Sequence, residues 1–236
     1  MQAIRREAVR LENVWITYSG AGKPAIKDIN LAIPLGVIAL IKGPNGAGKT
    51  TLIETCLGLL KPVKGNAYIL GVNTKDKRII EVRRKCSYVP QDFMKPPYEH
   101  YTAKKVIEMG LSSSRVITDS LPDYFQYELE YYAKELNMLD LLEKPIGILS
   151  GGQQQKVFII RALIRRPKLL FLDEPFSSLD KESREKVIEL VVNYVRKHKD
   201  SSAIIVSHSF NKVEEYADIV VAMNDGVITD VRFQGR

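Results

Sequence analysis

The chain has 236 residues, 45% hydrophobic and 27% charged, a balance that buries a sizeable core and excludes a disordered or low-complexity protein. Its net charge of +7 suits nucleic acid, an anionic membrane surface, nucleotide phosphates or a plain solvated basic face. No run of six like charges occurs, which excludes a DNA-gripping basic tail.

The N-terminal residues carry charges but no apolar h-region, so no secretory leader is expected. Val9–Thr17 and Ala25–Ile33 alternate as strands around a Gly20–Pro24 turn. Val37–Ile41 is a continuous apolar run, as in a strand buried on both faces. The stretch from Leu31 to Ile41 is broken by Pro34 and Gly36 and is too short to span a bilayer, so any spans must come from another polypeptide. Gly48–Leu60 reads as a helix closed by Lys61-Pro62, and Tyr68–Leu70 and Ser87–Val89 as short strands. Cys56 and Cys86 lie 30 residues apart in apolar sequence, which predicts buried, reduced thiols.

From Phe93 to Gly147 tyrosines and acids increase, with helical periodicity over Thr102–Gly110 and Asp123–Leu142. Helix (Gln154–Arg165), strand (Lys168–Leu172), helix (Ser183–Lys197), strand (Ala203–Ser207), helix (Phe210–Ala217) and two strands (Ile219–Met223, Val227–Arg232) follow. The expected fold is α/β: a mostly parallel sheet with an N-terminal antiparallel β subdomain and an inserted helical subdomain. Residues 1–92 and 148–236 would form the core, and 93–147 the insertion.

Gly43-Pro44-Asn45-Gly46-Ala47-Gly48-Lys49-Thr50 fits the phosphate-loop pattern of P-loop NTPases, between a buried strand and a helix. Its glycines let successive N–H groups face the phosphates, and the helix adds its N-terminal partial charge. Lys49 suits the β- and γ-phosphates, and the Thr50 hydroxyl suits Mg²⁺. Leu169–Leu172 delivers Asp173 and Glu174 to the carboxyl end of the sheet, where α/β proteins bind ligands. There Asp173 would hold Mg²⁺, largely through water, and Glu174 would orient or deprotonate the attacking water. These motifs predict an NTPase.

Leu149-Ser150-Gly151-Gly152-Gln153 resembles the signature of ABC-type ATPase cassettes. Physically it is a second anion site: a hydroxyl, free backbone N–H groups and a helix dipole. Its force lies in its order, with Gln153 sitting 20 residues ahead of Asp173. The chain is similar to an ABC cassette from end to end, and that resemblance implies the remaining roles. Tyr18, in competition with Trp15, would stack on adenine, and Thr51 would join the nucleotide contacts. Gln91 matches the glutamine that touches Mg²⁺ and water and couples to the membrane partner. Ser177-Ser178-Leu179-Asp180 matches the D-loop, with Ser178 where alanine is usual, and His208 matches the switch histidine at the γ-phosphate.

The resemblance implies ATP and Mg²⁺ as cofactors and an ATP split between two chains packed head to tail, either two copies or this chain and a sister cassette. It also implies membrane permease subunits, an extracytoplasmic binding protein reached through them, no nucleic acid, and a cytoplasmic place at the inner face of the membrane. With Lys49, Gln91, Ser150, Asp173, Glu174 and His208 all present, hydrolysis is expected. Only 123 residues separate Lys49 from Asp173, too few for the long coiled coil of DNA-repair relatives. The chain also lacks the paired cassettes of translation-associated relatives and the Asn-Lys-x-Asp of GTPases. Transport, with import favoured, is therefore the primary reading, and a non-transport ABC ATPase the alternative. Pro145–Phe158, Tyr88–Gln91 and Val106–Gly110 are similar to zinc/manganese and iron-chelate importer cassettes. Lys95, Lys104 and Lys105 are candidates to face an acidic coupling segment, with plain solvation as the alternative.

Overall fold

The computed structural model describes residues 6–91, 99–111, 120–208 and 212–234. Lys95, the Phe93 boundary and the predicted helix start at Phe210 lie outside them. Strand β1 (Glu7–Ile16) pairs antiparallel with β2 (Ile26–Pro34) and β4 (Lys64–Ile69), and β5 (Val72–Asn73) extends that sheet to the order β2-β1-β4-β5. A second, six-stranded sheet joins β3 (Ile38–Lys42), β6 (Cys86–Val89), β7 (Leu169–Asp173), β8 (Ser202–Ser207), β9 (Ile219–Asn224) and β10 (Val227–Phe233). Its order is β10-β9-β3-β8-β7-β6, parallel throughout except for the β9–β10 hairpin. The expected mostly parallel sheet and N-terminal antiparallel sheet are both found.

Period-two alternation divides the core into two layers. Ile38, Leu40, Leu170, Leu172, Ala203 and Ile205 point to the helices on one face of the six-stranded sheet. Ala39, Ile41, Leu169, Phe171, Ile204 and Val206 point to the other face, beneath the antiparallel sheet and helix α1 (Lys49–Cys56). Strands covered on both sides in this way read as unbroken apolar runs. Cys56 and Cys86 are buried free thiols in the second layer, and burial pushes both pKa values up to about 12.

Helices α3 (Ala103–Met109), α4 (Tyr124–Glu135) and α5 (Gly151–Leu163) share a core made by Val106, Ile107, Phe125, Leu129, Val157 and Ile160. That core runs without a break into the layer beneath the sheet and beneath α6 (Lys181–Lys197). Lys104 and Lys105 lie here and pair with this chain's own Glu143 (3.7 Å) and Glu108 (3.0 Å).

Two helices stop earlier than their apolar periodicity suggests, and for one reason. At the end of α1, Gly58 adopts φ +68°. Its N–H donates to the Thr55 carbonyl (2.9 Å), and the Leu59 N–H to Glu54 (2.8 Å), the paired bonds of a left-handed C-terminal cap. Arg83 of α2 (Ile79–Arg84) covers the freed carbonyls of Leu57 and Gly58. At the end of α4, Asn137 (φ 54°) makes the same pair, to Lys134 (3.1 Å) and, through Met138, to Ala133 (2.7 Å). The predicted helix to Leu142 is therefore two pieces, α4 and a 3₁₀ turn at Leu139–Leu141. The last helix, α7, is confined to Val213–Tyr216.

A Cβ on Gly58 would meet the Thr74 Cβ at 3.0 Å and the Arg83 guanidinium at 3.2 Å. Gly58→Ala should therefore cost about 1–2 kcal/mol and lower the thermal midpoint by several degrees in calorimetry. An unchanged midpoint would show that this cap does not hold α1.

Candidate active site

The phosphate loop closes where three backbones meet. A Cβ on Gly43 would lie 2.2 Å from the Met223 carbonyl oxygen, and one on Gly48 2.9 Å from that of Ala25. Gly48 adopts φ +92° and opens α1. Only glycine permits that conformation and that approach together. Lys49, 7% exposed, folds back to donate to the carbonyls of Gly43 (2.9 Å) and Pro44 (3.0 Å). Its ammonium stays inside the loop, 3.9 Å from Glu174.

Strand β7 ends against this loop. Asp173 is fully buried, and neither of its carboxylate oxygens has a hydrogen-bond partner among the described residues. Burial raises its pKa; Thr50 opposes the shift, the Glu174 charge adds to it and Lys49 opposes it. Glu174 is 6% exposed and sits at φ 47°, rare for a residue with a side chain. Its N–H donates to Val206 (3.0 Å), one carboxylate oxygen pairs with His208 Nδ1 (2.8 Å), and the other is buried with the Lys49 ammonium 3.9 Å away and no hydrogen bond among the described residues. His208 follows β8, and its ring is about half exposed.

Asn45, Gly46, Gly48, Lys49, Thr50, Thr51, Gln91, Asp173 and Glu174 line one cavity of about 290 Å³. All nine are among the residues expected at the nucleotide, the metal or the attacking water, whereas Gly43, Pro44, Ala47 and His208 do not line it. Tyr18 lies just past β1, its ring half exposed and its hydroxyl 3.0 Å from that of Thr51. Trp15 is instead part of β1, with the Lys64 ammonium over its ring at 5.5 Å. Two contributors escaped the sequence: Ala25, which lines the cavity, and Tyr88 in β6. Burial raises the Tyr88 pKa and the charge of Asp173 raises it further. Its signal was a polar aromatic at the carboxyl end of a parallel strand.

Ser150, Gly151, Gly152, Gln153 and Asp180 do not line this cavity. Ser150 caps α5: its hydroxyl accepts from the Gln153 N–H (3.3 Å), and the Gln153 side chain accepts from the Ser150 N–H (2.9 Å). This reciprocal box starts the helix at Gly151, three residues before its apolar pattern. Asp180 caps α6 through the Ser183 N–H and hydroxyl, both at 2.8 Å. Those bonds hold its carboxyl below the usual range.

A profile of the ABC transporter family matches residues 26–177. The manganese transport system ATP-binding protein of Bacillus subtilis is 34% identical over 223 residues, covering 92% of this chain and 83% of that protein. The high-affinity zinc uptake system ATP-binding protein of the same bacterium is also 34% identical, over 92% of this chain and 91% of that protein. Among solved structures, a dimeric bacterial ABC transporter cassette superposes with a TM-score of 0.84 at 26% identity, covering 97% of this chain and all of that one. A dimeric cassette in a post-hydrolysis state bound to ADP and phosphate gives 0.83 at 27%, with the same coverage.

The buried Asp173 charge costs folding free energy. Without nucleotide or metal, Asp173→Asn should stabilise the protein by about 1–3 kcal/mol at neutral pH, read as a higher melting temperature. Because the folded-state pKa is raised, the advantage should be full above it and shrink as pH falls toward the unfolded value near ~4. A variant no more stable than the parent would show that the carboxylate is not a cost.

Proposed function

The chain belongs to the ABC transporter family, and on that premise we propose how its residues divide the work of an ATP-binding, ATP-hydrolysing transporter subunit. The observation that carries the reading is the pair of buried carboxylates, Asp173 and Glu174, facing Lys49 in the loop cavity. Two carboxylates face one ammonium there, an excess of negative charge that a bound divalent cation would offset, while the loop's N–H groups and Lys49 take the phosphates. Backbone N–H groups of Gly43–Thr50 cradle the phosphates, and Lys49 moves from the loop carbonyls to the β- and γ-phosphates. Tyr18, held by Thr51, stacks on adenine.

The donor set of Thr50, Asp173 and Gln91 fits Mg²⁺, because these residues line one cavity and the Asp173 oxygens are buried without a well-formed hydrogen bond among the described residues. When bound, the ion neutralises charge on the phosphates. Glu174 orients the attacking water and accepts its proton. His208 holds Glu174 at 2.8 Å and turns to the γ-phosphate when ATP is present.

Ser150, Gly151, Gly152 and Gln153 form a capped helix N-terminus that does not line the loop cavity of their own chain. That placement supports a role on the partner's ATP in a head-to-tail dimer of two copies or with a sister cassette. Asp180 fixes the turn between Glu174 and α6. ATP closes the dimer by contacting both chains, and hydrolysis removes that bond. Residues 93–147 form the inserted unit that passes this motion, through Gln91, to the permease.

Among the described residues no helix is long and apolar enough to cross a membrane, which accords with a peripheral place on the inner face of the membrane. The relatives named for manganese transport and zinc uptake support import of a divalent transition metal, delivered by an extracytoplasmic binding protein.

Glu174→Gln should keep ATP binding, lower turnover about 10²–10³-fold and yield a dimer by size exclusion with ATP and Mg²⁺. Turnover at the parent rate would remove Glu174 from the chemistry. Ser150→Arg should still bind ATP as a monomer yet fail to dimerise, whereas a rate per chain indifferent to Ser150 and to protein concentration would sink the split site. Cells lacking the chain should lose most high-affinity uptake of radioactive zinc or manganese. Unchanged uptake of both would reject the cargo assignment.

A further inference from the structure

The first glycine of the Ser150–Gln153 loop has room for a side chain and the second has none. A Cβ on Gly151 would find only the Ser178 Cβ, at 3.9 Å, an ordinary contact. A Cβ on Gly152 would lie 2.8 Å from the Ser178 carbonyl oxygen, a backbone atom of the same chain. Ser178 belongs to the turn that leaves Glu174. The Ser177 N–H and hydroxyl both donate to the Glu174 carbonyl, at 3.3 and 3.2 Å, and the Leu179 N–H donates to Phe176 (3.2 Å). On its far side the turn is pinned by the Asp180 cap of α6 and by the Arg184 guanidinium on the Leu179 carbonyl (3.3 Å). An unbroken run of contacts thus joins Gly152 to the backbone of Glu174, the residue held at φ 47°.

We propose that Gly152 is a positioning residue for its own chain's Glu174, acting through the Ser178 carbonyl and the Ser177–Glu174 hydrogen bonds. In the split-site dimer, on which the dimer arm of this inference rests, Ser150–Gln153 serves the partner's ATP while Glu174 serves the chain's own. The same close contact then couples the two sites inside each chain. Occupancy of one site shifts the turn that sets the other, through a backbone approach too close to admit a methyl group. The nearness of Gly152 to the partner's phosphates gives it one role, and its contact with Ser178 gives it a second.

Hydrogen exchange on the lone, nucleotide-free chain tests the contact without a dimer. Gly152→Ala should speed exchange at the amides of Ser177–Ser183 about tenfold or more, while Gly151→Ala leaves them at the parent rate. Equal exchange in the two variants overturns the proposal. Mixed dimers test the coupling by single-turnover hydrolysis at saturating ATP, with one chain carrying Lys49→Ala so that a single phosphate loop works. Gly152→Ala on the chain with the working loop faces only the disabled site, yet should slow hydrolysis about tenfold with ATP affinity unchanged. A rate equal to that of the dimer with unaltered Gly152 overturns the coupling. Where Gly152→Ala fails to fold, Ser177→Ala, which removes the hydroxyl bond to the Glu174 carbonyl, takes its place with the same expected slowing. No turnover in the reference dimer would mean that closure needs ATP in both loops, and the exchange measurement then decides the proposal.

Discussion

Two carboxylates of one strand end, Asp173 and Glu174, are buried, and among the described residues three of their four oxygens lack a hydrogen bond. The Thr50 side chain and the Lys49 charge compensate Asp173, the Lys49 ammonium lies 3.9 Å from Glu174, and His208 holds the other Glu174 oxygen. Left to itself such a cluster would draw in water. It persists because β7 is fixed on both faces and both edges, by β6 and β8 beside it and apolar layers above and below. The apolar run Leu169–Leu172 of that strand thus anchors two carboxylates at the edge of the loop cavity. Stability is given up at this point for readiness, as is common where a site must be charged before its ligand arrives.

The phosphate loop shows the same trade in backbone form. Its glycines accept close approach and left-handed φ angles so that the loop can press against Met223 and Ala25. The antiparallel sheet is joined to this junction by the Lys27 N–H on the Gly226 carbonyl (2.8 Å) and by the Gly226 N–H on Ala47 (3.2 Å). A segment distant in sequence thereby helps to shape the cavity.

Much of this was legible in the sequence because it is local. Gly43–Thr50 and Leu169–Glu174 carry their geometry in consecutive residues, and the apolar runs of β3, β7 and β8 announce a sheet covered on both faces. Helix ends were less legible. The ends of α1 and α4 are set by Gly58 and Asn137 turning left-handed inside runs whose apolar period continues, so periodicity overran both. The start of α5 was placed three residues late because Gly151 and Gly152 have poor helix propensity, which the Ser150–Gln153 box overrides. Short elements such as β5 and α2 lack enough residues to show a period. Tyr88 left only a faint signal at its strand end, since its relation to Asp173 comes from strand pairing across 85 residues of sequence. The position of Ser150–Gln153, outside the cavity of its own chain, is likewise a fact of three dimensions, and the resemblance to a family supplied its meaning.

The junction at Gly48 has a mechanical consequence. The contact of the loop with Ala25 and Ile26 on one sheet and with Gly226 at the hairpin of the other welds the two sheets into a single stiff block around the cavity. A stiff seat yields little when a ligand pulls on it. The work done by a closing nucleotide is then not spent deforming the cradle but passes outward, to whatever is softer and attached.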